Sequence, residues 1–227
     1  MIALALDTSG TCASVALLRR GDDGESVLGT ETVGEGMRRG VDLFPAMERL
    51  LRRAAVAPRS VELVAVGTGP GSYTGLRVGI TAARAFAYAS GARLLGIPSC
   101  DAWAAAAEVG AGAAPLAVVL DAKVRAVYLA LYEPRSGVWA RTDGPSLLAP
   151  ADAAARIPAG ARIVGDGVAA YADAFAPRIA DERPDHADAV EVARIALTRD
   201  LRGERDALET VVPLYLKSAE PETRTHG

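Results

Sequence analysis

Lysine is almost absent from this chain: Lys123 and Lys217 are the only two. A Walker A loop needs Gly-Lys-Ser/Thr, and no lysine precedes Lys123, so that phosphate-binding device is excluded from the first half. Histidine is equally scarce, with only His186 and His226. HExxH and Cys/His zinc spacings therefore cannot be built. The two cysteines, Cys12 and Cys100, form neither a CxxC nor a framework, which points to a reducing compartment. No uncharged apolar run reaches the roughly 18 residues of a membrane span. Met1–Asp7 lacks the basic region and the length of a signal peptide. A cytoplasmic location with no membrane contact is the expectation. A basic excess is missing too, since 25 Lys+Arg against 28 Asp+Glu leave a net charge of −3. A nucleic-acid binder that works alone shows a basic stripe, so any contact with nucleic acid is expected to be shared with a partner.

What is present is a globular composition. Hydrophobic residues make up 50% and charged residues 23% of 227 residues. That length fits one large domain or two small lobes. An apolar run ends at Asp7, a polar turn Thr8-Ser9-Gly10-Thr11 follows, and Cys12–Leu18 is apolar again. This reads as a hairpin with a carboxylate at its tip. A third strand is expected over 26–33. A helix over 41–55 carries Val41, Phe44, Met47, Leu50, Leu51 and Ala54 at helical spacing, and Pro58 stops it. A buried strand, Val61–Val66, feeds the glycine-rich loop Gly67–Gly75. A helix then runs to about Ser90 and ends at Gly91. A strand over 93–97 and a short alanine-rich helix over 99–109 follow.

The second half repeats the opening. Leu116–Leu120 ends in Asp121 as Leu4–Leu6 ends in Asp7. Without a gap, Leu6/Asp7 align with Leu120/Asp121, and Ala16/Leu17 with Ala130/Leu131. Ile163-Val164-Gly165-Asp166-Gly167 mimics the strand and glycine pair that ends at Gly69. The order is the same in both halves, which favours a duplicated lobe. The expected fold is two α/β lobes, each opening with an antiparallel hairpin. The segment Asp188–Leu201 is expected to be helical.

Several residues are candidates for chemistry. Asp7, Thr8 and Ser9, with Gly69 and Gly71, could cradle a phosphate through backbone N–H groups and hydroxyls. The alternative for the hairpin tip is an Asx or ST turn that only satisfies local amides. G-x-G-x-x-G fails, because Ser72 stands where the last glycine is needed. Asp121 and Asp166 could join Asp7 around a magnesium ion; turn chemistry is the preferred reading for Asp166. His186 has no G-x-S-x-G nucleophile to serve, so a hydrolase triad is not expected. Cys100 reads as a buried structural thiol.

Positions 71, 75, 79, 83, 87 and 91 are Gly, Gly, Gly, Ala, Ala and Gly. Small residues every four positions let a second backbone approach closely. Each glycine inside a helix costs about 0.8–1 kcal/mol relative to alanine, so Gly75 and Gly79 need a reason. A subunit interface is the expected one, with Phe44, Met47, Leu51, Gly71, Gly75, Leu76, Gly79, Ala83 and Phe86 as its candidate residues.

Ala5–Ser9, Val66–Gly79, Leu95–Ser99, Leu120–Lys123 with Val127-Tyr128, Gly165–Gly167 and Pro213–Lys217 occur in an order that resembles the bacterial TsaB (YeaZ) family. The resemblance implies the actin/sugar-kinase/Hsp70-type (ASKHA) fold of two tandem RNase H-like lobes. The lobes would span 1–100 and a reduced 101–217, with a flexible tail over 218–227; the C-terminal segment could pack back on the first lobe. It implies a role in forming N6-threonylcarbamoyladenosine at position 37 of ANN-reading tRNAs. In that family the chain is a non-catalytic partner of the transferase TsaD, joined by the ATPase TsaE, and meets tRNA only through the complex. ATP or ADP and a divalent metal would belong to the complex and not to this chain alone. The family's heterodimer contact uses the first two helices of the first lobe, here about 40–55 and 74–90. Aligned through Leu95-Gly96-Ile97, the paralogue's two metal-binding histidines fall on Ser99 and Trp103, which supports a pseudo-enzyme. The competing readings are a nucleotide-hydrolysing or glycoprotease-type ASKHA enzyme, and a homodimeric binding module.

Overall fold

The structure, a computed structural model, describes residues 1–34, 39–110, 112–123, 125–175 and 188–216, the side chains of 39–41 aside. His186, His226, Lys217 and the expected tail over 218–227 lie outside the described residues.

The apolar run Ile2–Asp7 is strand β1. It pairs antiparallel with β2 (Ala13–Gly21), which pairs antiparallel with β3 (Gly24–Val33). Helix α1 (Arg39–Arg53) crosses to β4 (Leu63–Gly67), and α2 (Tyr73–Ser90) crosses to β5 (Arg93–Ile97). Both crossovers return in parallel, giving the strand order β3-β2-β1-β4-β5. Helix α3 (Ser99–Ala105) leads into the second half. There β6 (Leu116–Asp121), β7 (Val127–Arg135) and β8 (Val138–Leu148) form another antiparallel meander. After α4 (Pro150–Arg156), β9 (Arg162–Val164) adds in parallel to give β8-β7-β6-β9. The short helices α5 (Gly167–Ala170) and α6 (Ala172–Phe175) follow, and α7 (Ala189–Leu201) closes the helical part.

The two sheets share one topology over their first four strands, as the repeated Leu-Asp ends predict. The ungapped repeat needs one correction. Asp7 pairs with Ser14 and Asp121 with Val127, so the second hairpin turn is one residue shorter. Ala16 and Leu17 therefore correspond to Leu129 and Ala130, not to Ala130 and Leu131. A one-residue slip exchanges the two faces of a strand.

Strand alternation divides the core. Leu4, Leu6, Val15 and Leu17 face α1 and α2, whereas Ala3, Ala5, Ala16 and Leu18 face the inter-lobe core. That inter-lobe core also takes Ala193, Ala196 and Leu197 from α7, Trp103 from α3, and Val118 and Tyr132 from the second sheet. Small alanines on this face let α7 lie close to the sheet. Asp188 caps α7 by accepting from Val190 N–H at 2.8 Å, a normal N-cap. After α7 the chain runs back over the first sheet. Asp206 accepts from Gly96 N–H at 3.0 Å, Val211 is buried, and Leu214 N–H donates to Thr68 O at 2.8 Å.

Candidate functional site

The hairpin tip, the glycine loop after β4 and the start of α3 meet at one point. Asp7 is buried there at 1% exposure. Its Oδ1 accepts from Ser9 N–H at 2.7 Å and from Ser9 Oγ at 2.6 Å, and its Oδ2 accepts from Ser99 Oγ at 2.7 Å. Ser99 Oγ in turn accepts from Gly69 N–H at 3.0 Å. Thr8 is fully buried and donates through Oγ1 to Gly75 O at 2.7 Å, locking the tip onto the first turn of α2. Ser72 N–H donates to Ser9 O at 2.8 Å, and Ser72 Oγ accepts from Gly75 N–H at 3.2 Å as the α2 N-cap.

The glycines are what allow this closure. A Cβ on Gly67 would lie 1.8 Å from Asp7 Oδ2. On Gly75 it would lie 2.1 Å from Thr8 O, and on Gly79 2.2 Å from Thr8 Oγ1. Gly71 meets Ser9 O in the same way at 2.4 Å. The close backbone approach expected from the small-residue face of α2 is therefore real, but its partner is this chain's own hairpin tip.

Two corrections follow. Gly75, Leu76, Gly79 and Ala83 are buried inside the chain and do not line an outward groove; Gly71 packs on Ser9. Met47 and Leu51 lie on the inner face of α1, at 2% and 5% exposure, and form part of the lining of the groove between α1 and α2. Of the expected interface residues, Phe44 is exposed and Phe86 half-buried. The phosphate cradle is corrected as well. The side chains of Asp7, Thr8 and Ser9 face inward with internal partners, and Gly69 N–H is bonded to Ser99. The side chains of Asp7, Thr8 and Ser9 and the N–H of Gly69 are thus engaged within the chain in this arrangement. The Asx-turn alternative describes the tip. Ser99 and Trp103, the positions of the paralogue's histidines, hold a buried hydrogen-bonding hub and a core indole.

The second lobe has its own Asp pair. Asp121 Oδ2 lies 2.6 Å from Lys123 Nζ, and Lys123 N–H donates to Asp121 Oδ1 at 2.8 Å. Asp166 Oδ1 accepts from Asp121 N–H at 2.9 Å. Burial pushes the Asp121 carboxyl up, but the Lys123 hydrogen bonds outweigh it and hold it below the usual carboxylate range. Burial raises Asp166. With Asp7 closed off by Ser9 and Ser99, the three aspartates do not assemble. Among the described residues no group of three or more His, Cys, Asp or Glu side chains could hold a metal ion.

The exposed candidate surface is the pair α1–α2. A groove of about 350 Å³ lies between them, lined by Phe44, Met47, Leu51, Val56 and Phe86. The outer face of α2 carries Thr74, Thr81, Ala85 and Ala89, all small and exposed. Tyr73 is 55% and Tyr88 82% exposed on the same helix. None of these outward residues is among the candidate interface residues that the small-residue spacing singles out. At about 100° per residue Tyr73, Thr74, Thr81, Ala85 and Tyr88 fall within about 60° of the direction opposite Gly75, Gly79 and Ala83, and Ala89 falls to the side. A second cavity, of about 500 Å³, separates α3, β8 and α7. Three of its arginines, Arg141, Arg194 and Arg199, pair with Asp101, Glu25 and Glu191, and Glu204. Among the described residues no helix is long and apolar enough to cross a membrane.

Comparison with known proteins places these features. The family model described as TsaD, tRNA N6-adenosine threonylcarbamoyltransferase, matches residues 40–218. An uncharacterized protein of Mycobacterium tuberculosis is 32% identical over 215 residues, covering 94% of this chain and 90% of that protein. The Bacillus subtilis tRNA threonylcarbamoyladenosine biosynthesis protein TsaB is 30% identical over 138 residues, covering 61% of this chain and 58% of its own length. Among solved structures, YeaZ from Pseudomonas aeruginosa superposes with a TM-score of 0.77 at 27% identity, covering 95% of this chain and 99% of that one.

Proposed function

The chain belongs to the TsaB/YeaZ family, which shares the threonylcarbamoyltransferase family model, and on that premise we propose that it is a non-catalytic partner subunit of the TsaD transferase. It takes part in tRNA threonylcarbamoyladenosine biosynthesis. The observation that carries the partner reading is the closed hairpin tip. Asp7, the carboxylate where a phosphate or metal site was the expectation, is held by internal donors that include Ser9 N–H, Ser9 Oγ and Ser99 Oγ, at 1% exposure. A group so enclosed cannot reach a substrate without dismantling the lobe. In this reading the tip is a keystone: it fixes the first turn of α2 to the ends of β1 and β5, and so holds a docking surface in shape.

Docking uses the α1–α2 face. Exposed Phe44 and half-buried Phe86 border an apolar groove, and the small residues Thr81, Ala85 and Ala89 let a partner helix approach closely. Tight binding needs such an aromatic anchor more than it needs area. ATP or ADP and a divalent metal act, in this proposal, in the assembled complex and not at Asp7. TsaE and tRNA join that complex.

Purified TsaD from the same source and this chain, titrated calorimetrically, test the docking face. Phe44→Asp is expected to weaken binding by at least tenfold while thermal stability is retained, since Phe44 is about half exposed. Unchanged affinity for that variant would remove α1–α2 as the docking surface.

A further inference from the structure

We propose that the outer flank of α2, the stripe Tyr73–Arg77–Arg84–Tyr88 braced by the segment after α7, is a recognition surface for carboxylates on the docked protein partner. This rests on the docking reading above and adds the chemistry of the contact. At about 100° per residue the four positions fall within an arc of about 60°. They form one narrow stripe beside the small-residue centre of the face and away from the Phe44–Phe86 groove.

The stripe is pre-organised. Arg77 lies 4.4 Å above the Tyr73 ring, and its Nε–H donates to Tyr215 Oη at 3.0 Å. Tyr73 and Tyr215 stack with centroids 5.0 Å apart. Arg84 donates through Nη2 to Glu209 O at 2.8 Å, while its Nε is buried without a hydrogen-bond partner. Both arginines are thus oriented by the C-terminal segment, one through a ring and a hydroxyl, the other through a carbonyl. Neither guanidinium pairs with a carboxylate among the described residues. On the neighbouring helix the pattern is different: Arg49 and Arg53 pair with Glu31, and Arg52 with Glu48. Helix α2 itself contains no acidic residue.

Two oriented, carboxylate-free guanidiniums flanked by exposed tyrosines are a cationic hot spot. Tyrosine and arginine are the residues that dominate binding energy in interfaces. A guanidinium already held in place loses less freedom when a carboxylate docks in bidentate geometry. A phosphate backbone is a poorer match, because two cations on a chain of net charge −3 make no extended basic track.

The test compares Arg77→Gln, Tyr215→Phe and Phe44→Ala in titrations with purified TsaD at two salt concentrations. A fluorescent single-stranded RNA is titrated in parallel. We expect Arg77→Gln to weaken TsaD binding by tenfold or more and to flatten its salt dependence. Tyr215→Phe, which removes only the hydroxyl that orients Arg77, should give a smaller loss of a few-fold. RNA should bind neither wild type nor variant. If Phe44→Ala weakens binding while Arg77→Gln stays within twofold of wild type, the carboxylate-recognition proposal is wrong and the docking reading survives. If neither variant matters, or wild type does not bind, both fail. If RNA binds in an Arg77-dependent way with TsaD affinity unchanged, the stripe is a nucleic-acid platform and the proposal is overturned.

Discussion

Replacing Gly75 by alanine sets two effects of opposite sign against each other. Alanine is the better helix former by about 1 kcal/mol, and Gly75 sits near the start of α2 with ordinary helical geometry. Propensity alone predicts stabilisation. The new Cβ, however, would lie 2.1 Å from the Thr8 carbonyl oxygen and 3.1 Å from Ser72 Cβ. The oxygen is backbone, and Thr8 is pinned by its own hydrogen bond to Gly75 O, so it cannot swing aside cheaply. Overpacking of this kind costs about 1–3 kcal/mol. Here the clash adds loss of the Thr8 bond, worth about another 1 kcal/mol. The net expectation is a loss of roughly 1–3 kcal/mol. For a chain of this size that lowers Tm by about 2–4 °C per kcal/mol. Urea denaturation followed by circular dichroism measures it, with exposed Thr81→Ala on the same helix as the control. A Gly75→Ala protein as stable as wild type, or more stable, would refute the claim that the hairpin tip is seated on α2.

Ser99→Ala removes one donor to Asp7 and the acceptor of Gly69 N–H in a fully buried site. A loss of about 1–3 kcal/mol is expected in the same denaturation assay, and a change under half of that would contradict the hub role. Asp166→Asn keeps an acceptor for Asp121 N–H but removes a carboxyl whose pKa is raised by burial. A raised folded-state pKa adds stability below the unfolded value, and that stability is lost as pH rises through the folded pKa. The variant should therefore be more stable than wild type near pH 7, with the advantage shrinking as pH falls into the carboxylate range; an advantage that grew on acidification would reverse the assignment. Burial pushes the Cys100 thiol up to about 11, and the side chain is 1% exposed. Thiol labelling of native protein at pH 8, read by peptide mass, should modify Cys12 first and Cys100 only after unfolding. Rapid native labelling of Cys100 would contradict its burial.

Much of this was legible in the sequence because local chemistry fixes local structure. Gly91 ends α2 in the left-handed conformation at φ 79°, as a C′ glycine should. Strands β5 and β6 fall where their apolar runs predict, and Asp188 caps α7. The repeated Leu-Asp ends revealed two sheets of one topology. The small-residue face of α2 was legible only as a demand for close approach. Periodicity does not say what approaches, and the answer, Thr8, lies 67 residues upstream of Gly75. A still longer separation, 92 residues, hides Ser99 as the partner of Asp7, so an enclosed carboxylate reads as an open cradle. The one-residue difference between the two hairpin turns escaped because an ungapped comparison of short apolar runs tolerates a slip. The Tyr73–Tyr215 stack was beyond reach for a similar reason, since nothing local ties the C-terminal segment to α2.

The central claim is that this chain supports threonylcarbamoyl transfer without performing it. TsaD, TsaE, threonylcarbamoyl-adenylate and a tRNA that reads ANN codons, assayed for modified adenosine with this chain, without it, and with this chain as the sole protein, test that claim directly. Product is expected only when TsaD and this chain are both present. Product from this chain alone, or equal product without it, would contradict the account.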